Sequence, residues 1–592
     1  MATYKAPLDE IGFVLFDVLG YETAVRPLPG FGEAGADLVR PALEEAGRLC
    51  EEVLLPLNRG GDEEGCRFEN GVVRTPDGFK AAYDAFAAGG WSGLALDPAH
   101  RGQGLPRTLH FAVMEMICSA NLAFGIYPGL SHGAADALHL HGTEDQKALY
   151  LPRLASGEWT GTMCLTEPQC GTDLGLIRTK AVPDGEGAYS VTGTKIFISC
   201  GEHDLADNIL HLVLAKLPDA PAGTRGISLF LVPKVLVGDD GSLSERNGVR
   251  CGGIENKMGI HASATCTMHF DEAKGFLVGG AHGGMKAMFT MMNAARLAVA
   301  IQGLGVAETA CQTAVAYAKE RRQGRALSGA KEPEAAADPI IVHPDVRRML
   351  LTMRSQVDAA RVLACWTGME LDAATRHPDP ERRKRADDFV ALMTPILKAH
   401  LTDLGTECAN TAMQVLGGHG YVREWGVEQL VRDARIAQIY EGTNGIQALD
   451  LVGRKLPQGT GRLLRRFFHP LDAFIKEHEA DPCLAPMTGA LKKAAERLRG
   501  ATLTIARKGL SDPEEAGAAA SDYLRLFALT AMAWAHAKTV VAVLPRAGEP
   551  FGQRKIALAT FYMTKVLPET GALFARIMAG KGPVMGLEAE AF

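Results

Sequence analysis

A carboxylate that closes an apolar helical run and opens onto a flexible turn is a candidate general base. Glu441 is such a residue in Arg432-Asp-Ala-Arg-Ile-Ala-Gln-Ile-Tyr-Glu-Gly-Thr-Asn-Gly-Ile-Gln447. Partial removal from water raises a carboxyl pKa toward the range of a general base. A solvated turn residue is the other reading of the same segment. In Gln414-Val-Leu-Gly-Gly-His-Gly-Tyr421, Gly417 and Gly418 stand together in a helical run, at roughly 1 kcal/mol each in helix propensity. Close approach of a pyrophosphate or of another helix would justify them.

Two further segments have a chemical and a bland reading. Met163-Cys-Leu-Thr-Glu-Pro-Gln-Cys-Gly-Thr-Asp173 runs from a strand-like start into a turn. Its exposed amides, with Thr166 and Thr172, suit the edge of a flat heterocycle or a phosphate, and a surface loop has the same composition. In Lys195-Ile-Phe-Ile-Ser-Cys-Gly201, Phe197 either covers a planar ring or fills a barrel core. No convincing GxGxxG element follows a strand, which argues against a Rossmann nucleotide site. His139 with His141, and His419 among glycines, lack metal-ligand spacing, so no metal is expected and structural roles are assigned to them.

These segments need a scaffold, and periodicity supplies its outline. From about Pro29 to Gly157 apolar residues recur at helical spacing. From about Thr160 to His282 short β-type runs such as Val191-Thr-Gly-Thr-Lys-Ile-Phe-Ile and Ile227-Ser-Leu-Phe-Leu-Val indicate a small barrel or sandwich. Long helical periodicity resumes from about Gly284 to Gly453, interrupted by a polar loop at Ser328 to Pro339, and predicts a helix bundle. After a junction at Pro457-Gln-Gly-Thr-Gly comes an Ala-rich helical block. The predicted class is mainly α with a central β-domain, divided 1–159, 160–283, 284–456 and 457–592.

The 592 residues carry a net charge of -7, which disfavours nucleic acid as a partner. Twelve scattered cysteines read as reduced residues of a cytoplasmic protein, and the N-terminus shows no secretory signal. The apolar stretch from Leu524 to Leu544 contains Arg525, His536 and Lys538, ordinary in a buried helix and costly in a bilayer. No integral membrane segment is expected, and His536 and Lys538 are placed at the margin of a packed helix with their polar ends in water.

Taken together with Gly142-Thr-Glu-Asp-Gln-Lys-Ala-Leu-Tyr-Leu-Pro, the segments resemble the acyl-CoA dehydrogenase family in order and approximate spacing over residues 85 to 453. The resemblance implies a helical domain, a β-domain and a four-helix bundle, here with an extra C-terminal helical domain. It implies FAD as cofactor, with Leu165, Thr166, Thr172, Phe197, Ser199 and Thr443 at the flavin and Phe197 in place of a more usual Trp. Arg321, Gln414, Gly417 and Gly418 match positions that hold the diphosphate of a neighbouring subunit's FAD, so a homo-oligomer, at least a dimer, is expected. Thr172, Asn293, Arg296, Tyr440 and Gly442 match substrate positions. Glu441 is then the base for the α-proton of an acyl-CoA thioester, the β-hydrogen leaves as hydride to flavin N5, and electrons pass to an electron-transfer flavoprotein.

Arg321-Arg-Gln-Gly-Arg-Ala-Leu lacks the aromatic residue of the common pattern, the polar loop follows directly, and Gly445 replaces a longer polar side chain. The leading segment from Tyr4 and the C-terminal block resemble the subgroup that includes 3-methylthiopropionyl-CoA dehydrogenases and related bacterial fatty acyl-CoA dehydrogenases. Two other readings stand: an oxidase that uses oxygen, and the DNA-associated homologue, whose counterpart here would be a basic face formed by Arg462, Arg465, Arg466, Lys492, Lys493, Arg497 and Arg499.

Overall fold

The computed structural model describes residues 3–185 and 187–592. Contacts divide the chain into two compact units, one of residues 48–105 and 120–298, the other of 1–47, 106–119 and 299–592.

The first unit is built on a sheet of seven strands: β1 Trp159–Cys164, β2 Lys180–Pro183, β3 Ala188–Ser199, β4 Asn208–Lys216, β5 Ile227–Pro233, β6 Val249–Ile254 and β7 Thr265–Val278. Their order is β6-β7-β3-β2-β4-β1, and β5 pairs with both β7 and β4. That double pairing closes β7, β3, β2, β4 and β5 into a barrel, with β6 and β1 added outside. Alternation decides which side chains fill it. Val213, Ala215, Phe230, Val232 and Val191 form the core on one face, and Leu210, Leu212, Leu214, Leu229 and Leu231 pack on the other, in one cluster with Leu138, Leu151 and Leu154 from helices Leu122–His141 and Glu144–Ser156. Each fully buried leucine contributes about 1.5–3 kcal/mol. The second of these helices starts where the sequence places a strong signal, a Thr143/Gln146 capping box.

The second unit is helical. The helix α1, Gly284–Glu320, runs into it, followed by α2 Pro344–Arg376, α3 Pro380–Leu416, α4 Val427–Ala434 and α5 Asn444–Asp450. The C-terminal block adds α6 Arg462–His478, α7 Ala485–Gly509, α8 Pro513–Val543, α9 Pro550–Phe561 and α10 Glu569–Met578. Proline at the first helical position opens α2, α3 and α8, with Asp379 and Asp512 as side-chain caps for the last two.

The helix α8 is long and apolar enough to cross a membrane, but it is buried within this unit, packed on α2, α3 and α5. Leu524, Leu526, Phe527, Leu529 and Trp534 are all buried, and Trp534 meets Trp366 at 4.7 Å and Phe467 at 5.5 Å between ring centroids. One expectation is corrected here. His536 is not marginal: it is 2% exposed, bonds the Ser355 carbonyl at 2.9 Å, and burial lowers its pKa to about 4. Lys538 is half-buried, with its ammonium 5.2 Å from the Trp366 ring.

A chain of buried charges ties the leading segment to this block. Arg361 lies between Glu115 and Glu308, Arg354 bridges Glu308 and Asp358, and Lys555 of α9 pairs with Asp358 at 2.6 Å and with Glu10. Removing a single member strands its partner in a low dielectric, at about 3–5 kcal/mol. The basic residues of α6 and α7 are largely paired as well: Arg462 and Arg466 with Asp388, Arg499 with Asp472, Lys492 with Glu479.

Truncation after Gly461 would bare the faces of α2, α3 and α5 and leave Asp388, which is 3% exposed, without Arg462 or Arg466. The truncated protein is expected to aggregate on size exclusion. A soluble product with unaltered melting temperature would show that the block is an independent module.

Candidate active site

In the β-unit, two of the sequence segments come together at the ends of β1 and β3. The Thr166 carbonyl accepts from Ile196 N–H at 2.9 Å, Thr162 Oγ1 donates to the Ser199 carbonyl at 2.7 Å, and Lys195 Nζ donates to the Leu165 carbonyl at 3.0 Å. Leu165, Thr166 and Ser199 are half-buried there, and Thr172 is exposed on the following turn. Phe197 has φ +58° and is 59% exposed. The barrel-core reading of this residue is thereby ruled out: a phenyl ring is displayed to the outside on a backbone conformation that costs about 1–2 kcal/mol.

Beneath this surface lies an ion pair that sequence reasoning did not single out as functional. Lys195 Nζ is 2.9 Å from Glu167 Oε1, with the side chains 0% and 3% exposed. Glu167 also accepts from Arg178 N–H at 2.6 Å, Thr179 N–H at 3.0 Å, Thr179 Oγ1 at 2.6 Å and Gln169 Nε2 at 2.6 Å. Burial opposes its ionisation, but the ammonium and these donors outweigh burial and hold the carboxyl down at about 2. Period-two alternation already put Lys195 on the face of buried Val191, which was the available signal.

In the helical unit, Glu441 sits in the turn between α4 and α5, half-buried, with φ +57°. Gly442 follows at φ +82°, and Thr443 caps α5 by accepting from Ile446 N–H at 3.3 Å. The strained turn is gripped from three sides. Gln447 Nε2 donates to the carbonyls of Glu441 and Gly442 at 3.1 and 3.2 Å. Asp403 of α3 accepts from Gln438 before the turn at 2.6 Å and from Asn444 after it at 2.7 Å. Lys398 donates to Asn444 at 3.0 Å, and Tyr440 to Gln302 of α1 at 2.5 Å. Of these supports only Tyr440 was predicted as a site residue. A lysine and an aspartate within Ile396-Leu-Lys-Ala-His-Leu-Thr-Asp403 were the visible hint.

At the far ends of α1 and α3 a second group assembles. Tyr317 OH bonds His419 Nδ1 at 2.9 Å, and Trp425 stacks on that imidazole at 4.3 Å, so His419 is structural. This tie brings Arg321, one turn after Tyr317, toward the end of α3, which carries Gln414 and is followed by Gly417 and Gly418. Arg321 and Gln414 are exposed, and the Arg321 guanidinium makes no hydrogen bond or ion pair among the described residues. A Cβ added at Gly417 or Gly418 would meet nothing within 4 Å, whereas one at Gly420 would lie 2.5 Å from the Met413 carbonyl. Within this chain, close helix packing explains Gly420 and the positive φ of 60° explains Gly417; Gly418 is left open to a ligand or a partner. The polar loop beyond Arg321 is ordered by Asp338, whose buried carboxylate accepts from Ala326, Lys331 and Glu332 amides.

Asn293 and Arg296 lie on the first half of α1, the former exposed and the latter 5% exposed. His141 bonds Thr290 at 2.8 Å.

The half-buried Glu441 carboxylate in its supported turn, the exposed Phe197 ring and the exposed Arg321 stand in a chain whose relatives are clear. Residues 40–158, 162–273 and 282–456 match the acyl-CoA dehydrogenase N-terminal, middle and C-terminal domain models, and 467–588 match an acetyl-CoA dehydrogenase C-terminal-like model. The chain is 43% identical to the 3-methylmercaptopropionyl-CoA dehydrogenase of Ruegeria pomeroyi, over 97% of this chain and 98% of that one. It belongs to the acyl-CoA dehydrogenase family. The family is one of oxidoreductases acting on acyl-CoA, with FAD as cofactor. A broad-specificity linear acyl-CoA dehydrogenase of Mycobacterium tuberculosis is 32% identical over the full length of both chains. The crystal structure of a Bacillus anthracis acyl-CoA dehydrogenase complexed with FAD shares the fold, with TM-score 0.76 over 92% of this chain and 89% of that one at 22% identity.

Replacing Gln447 by Leu removes both donors to the turn at nearly constant volume and leaves two carbonyls unmatched, at about 1–3 kcal/mol. We expect FAD to be retained and kcat to fall about tenfold or more, read by steady-state kinetics. Wild-type kcat would show that the turn holds Glu441 without this bond.

Proposed function

We propose that this acyl-CoA dehydrogenase oxidises the Cα–Cβ bond of a short acyl-CoA thioester to the trans-2-enoyl-CoA, with Glu441 as the base for the α-proton and an electron-transfer flavoprotein as electron acceptor. The observation that carries the reading is the Glu441 turn, a half-buried carboxylate held in left-handed backbone by Gln447, Asn444 and Asp403. Such a group loses little further freedom when it takes a proton, so its geometry is set before the substrate arrives.

The residues present fit FAD. In the β-unit Phe197 offers an exposed face and Leu165, Thr166, Thr172 and Ser199 offer polar edges and backbone; in the helical unit Thr443 offers a hydroxyl, and Arg321 with Gln414, Gly417 and Gly418 offers a cation and open amides for a diphosphate, which by family resemblance belongs to a second subunit's FAD. Bound there, FAD supplies the two-electron acceptor for the substrate's β-hydrogen. The chain's own part is proton chemistry. An α C–H beside a thioester is too weak an acid for an isolated carboxylate, so the carbonyl has to be polarised as the proton leaves. The Glu441 amide N–H is assigned as one donor to that carbonyl, and the Glu441 carboxyl keeps the proton afterwards. Asn293, Arg296, Tyr440 and Gly442 are assigned to the thioester's remainder.

For the acyl group we favour 3-methylmercaptopropionyl-CoA, the 3-methylthiopropionyl thioester, over a longer fatty acyl-CoA. The reading rests on full-length identity: 43% to the relative named for that substrate, against 32% to the broad-specificity relative. Anaerobic bleaching of the flavin by a panel of acyl-CoA thioesters tests it, and bleaching fastest with a long-chain thioester would reverse the assignment. Hydrogen peroxide formed at the rate of turnover in air would replace the flavoprotein acceptor by oxygen.

Glu441→Gln keeps shape and removes the acceptor for the proton. Dehydrogenation is expected to fall at least about 100-fold with FAD still bound; activity near wild type would take Glu441 out of this role. Arg321→Ala should lower the flavin-to-protein ratio after dialysis and shift the protein toward monomer on size exclusion. An unchanged ratio would remove Arg321 from the diphosphate.

A further inference from the structure

The Lys195–Glu167 pair lies under the surface assigned to the flavin, yet neither side chain reaches it. Lys195 Nζ has two partners, Glu167 Oε1 at 2.9 Å and the Leu165 carbonyl at 3.0 Å. That carbonyl belongs to the same peptide unit as the Thr166 N–H, for which no acceptor is found among the described residues. The Lys195 bond to the Leu165 carbonyl holds that peptide plane and so the direction of the amide, and the next carbonyl, that of Thr166, accepts from Ile196 N–H at 2.9 Å. An ammonium on a peptide oxygen draws electron density from its nitrogen and makes the N–H a stronger donor, an effect enlarged where water is excluded. Glu167 keeps the ammonium charged and in place, and its four other donors leave it little freedom to move.

We infer that Lys195 is a positioning and polarising residue of the flavin site: through the Leu165–Thr166 peptide it strengthens the Thr166 N–H as a donor to the flavin ring and so raises the flavin's reduction potential. A donor aimed at the ring favours the reduced flavin, which carries more negative charge than the oxidised one. The direct contact is made by the backbone, so the identity of the Thr166 side chain matters less to the potential than the charge at Lys195. This inference rests on the flavin reading above.

The test compares Lys195→Met, Lys195→Arg and Glu167→Gln with the wild-type holoenzyme. FAD affinity is read by titrating apoprotein with FAD, the midpoint potential by dye equilibration, and kcat and KM with the best thioester of the panel. The expected result for Lys195→Met is a more negative potential, by roughly 30 mV for each tenfold change in the two-electron equilibrium. A tenfold or larger loss in kcat should accompany it, with KM within about twofold of wild type. Lys195→Arg, which keeps the charge, should recover most of the potential. If Lys195→Met does not fold, Glu167→Gln and Lys195→Arg are compared in its place, and the potential should fall further in the former. A wild-type potential in a folded, FAD-loaded Lys195→Met, or an equal loss in Lys195→Arg and Lys195→Met, would overturn the inference. Failure of the underlying reading looks different: wild-type protein would then bind no FAD or bleach with no thioester.

Discussion

The constraint on which the helical unit depends is that Glu441 stands in backbone that its own residue type disfavours. Left-handed φ at Glu441 costs about 1–2 kcal/mol against an extended or helical conformation, and the chain cannot meet that cost locally, because Gly442 beside it is the most flexible residue available. The offset comes from α3 and α5. Asp403 accepts from residues on both sides of the turn, Gln447 closes it from below, and Lys398 fixes Asn444. Every one of these groups is held in place by burial of the helix that carries it, so the geometry of one carboxylate is tied to the packing of the bundle.

That packing extends into the C-terminal block. The long apolar α8 packs against α2, α3 and α5, filling a side of the bundle that includes the helix directly after Glu441. The block is bound by shape and by charge together: Trp534 between Trp366 and Phe467, Arg525 between Glu407 and Glu569, Lys555 between Asp358 and Glu10. Lys555 joins the C-terminal block both to Asp358 of α2 and to Glu10 of the leading segment.

The β-unit solves a related problem with a different device. Strand ends are where a sheet runs out of backbone partners, and a polar edge presented there has to be fixed from behind. Glu167 and Lys195 do this with a buried ion pair whose charges are spread over backbone amides and a backbone carbonyl. Desolvation makes such a pair a weak source of net stability. Its benefit lies in direction, since Lys195 holds the Leu165 carbonyl and with it the Leu165–Thr166 peptide.

By itself the sequence determined the order of helices, strands, bundle and extra helices, because hydrophobic periodicity is local. It offered Glu441, the paired glycines and the Thr166 turn as candidates, each with a bland reading beside the chemical one, and only the family resemblance joined them in one site. It left Phe197 suspended between core and surface and put His536 at a margin, because exposure depends on what distant segments supply. Only the tertiary structure decided that Phe197 is displayed, that His536 is buried against Ser355, and that Gly420, not Gly418, is the glycine demanded by packing. It alone joined Asp403 to Asn444 and Lys195 to Leu165, pairs 41 and 30 residues apart. Such pairings are chosen by the closing of a barrel and the docking of helices, and no local pattern encodes which charge will meet which carbonyl.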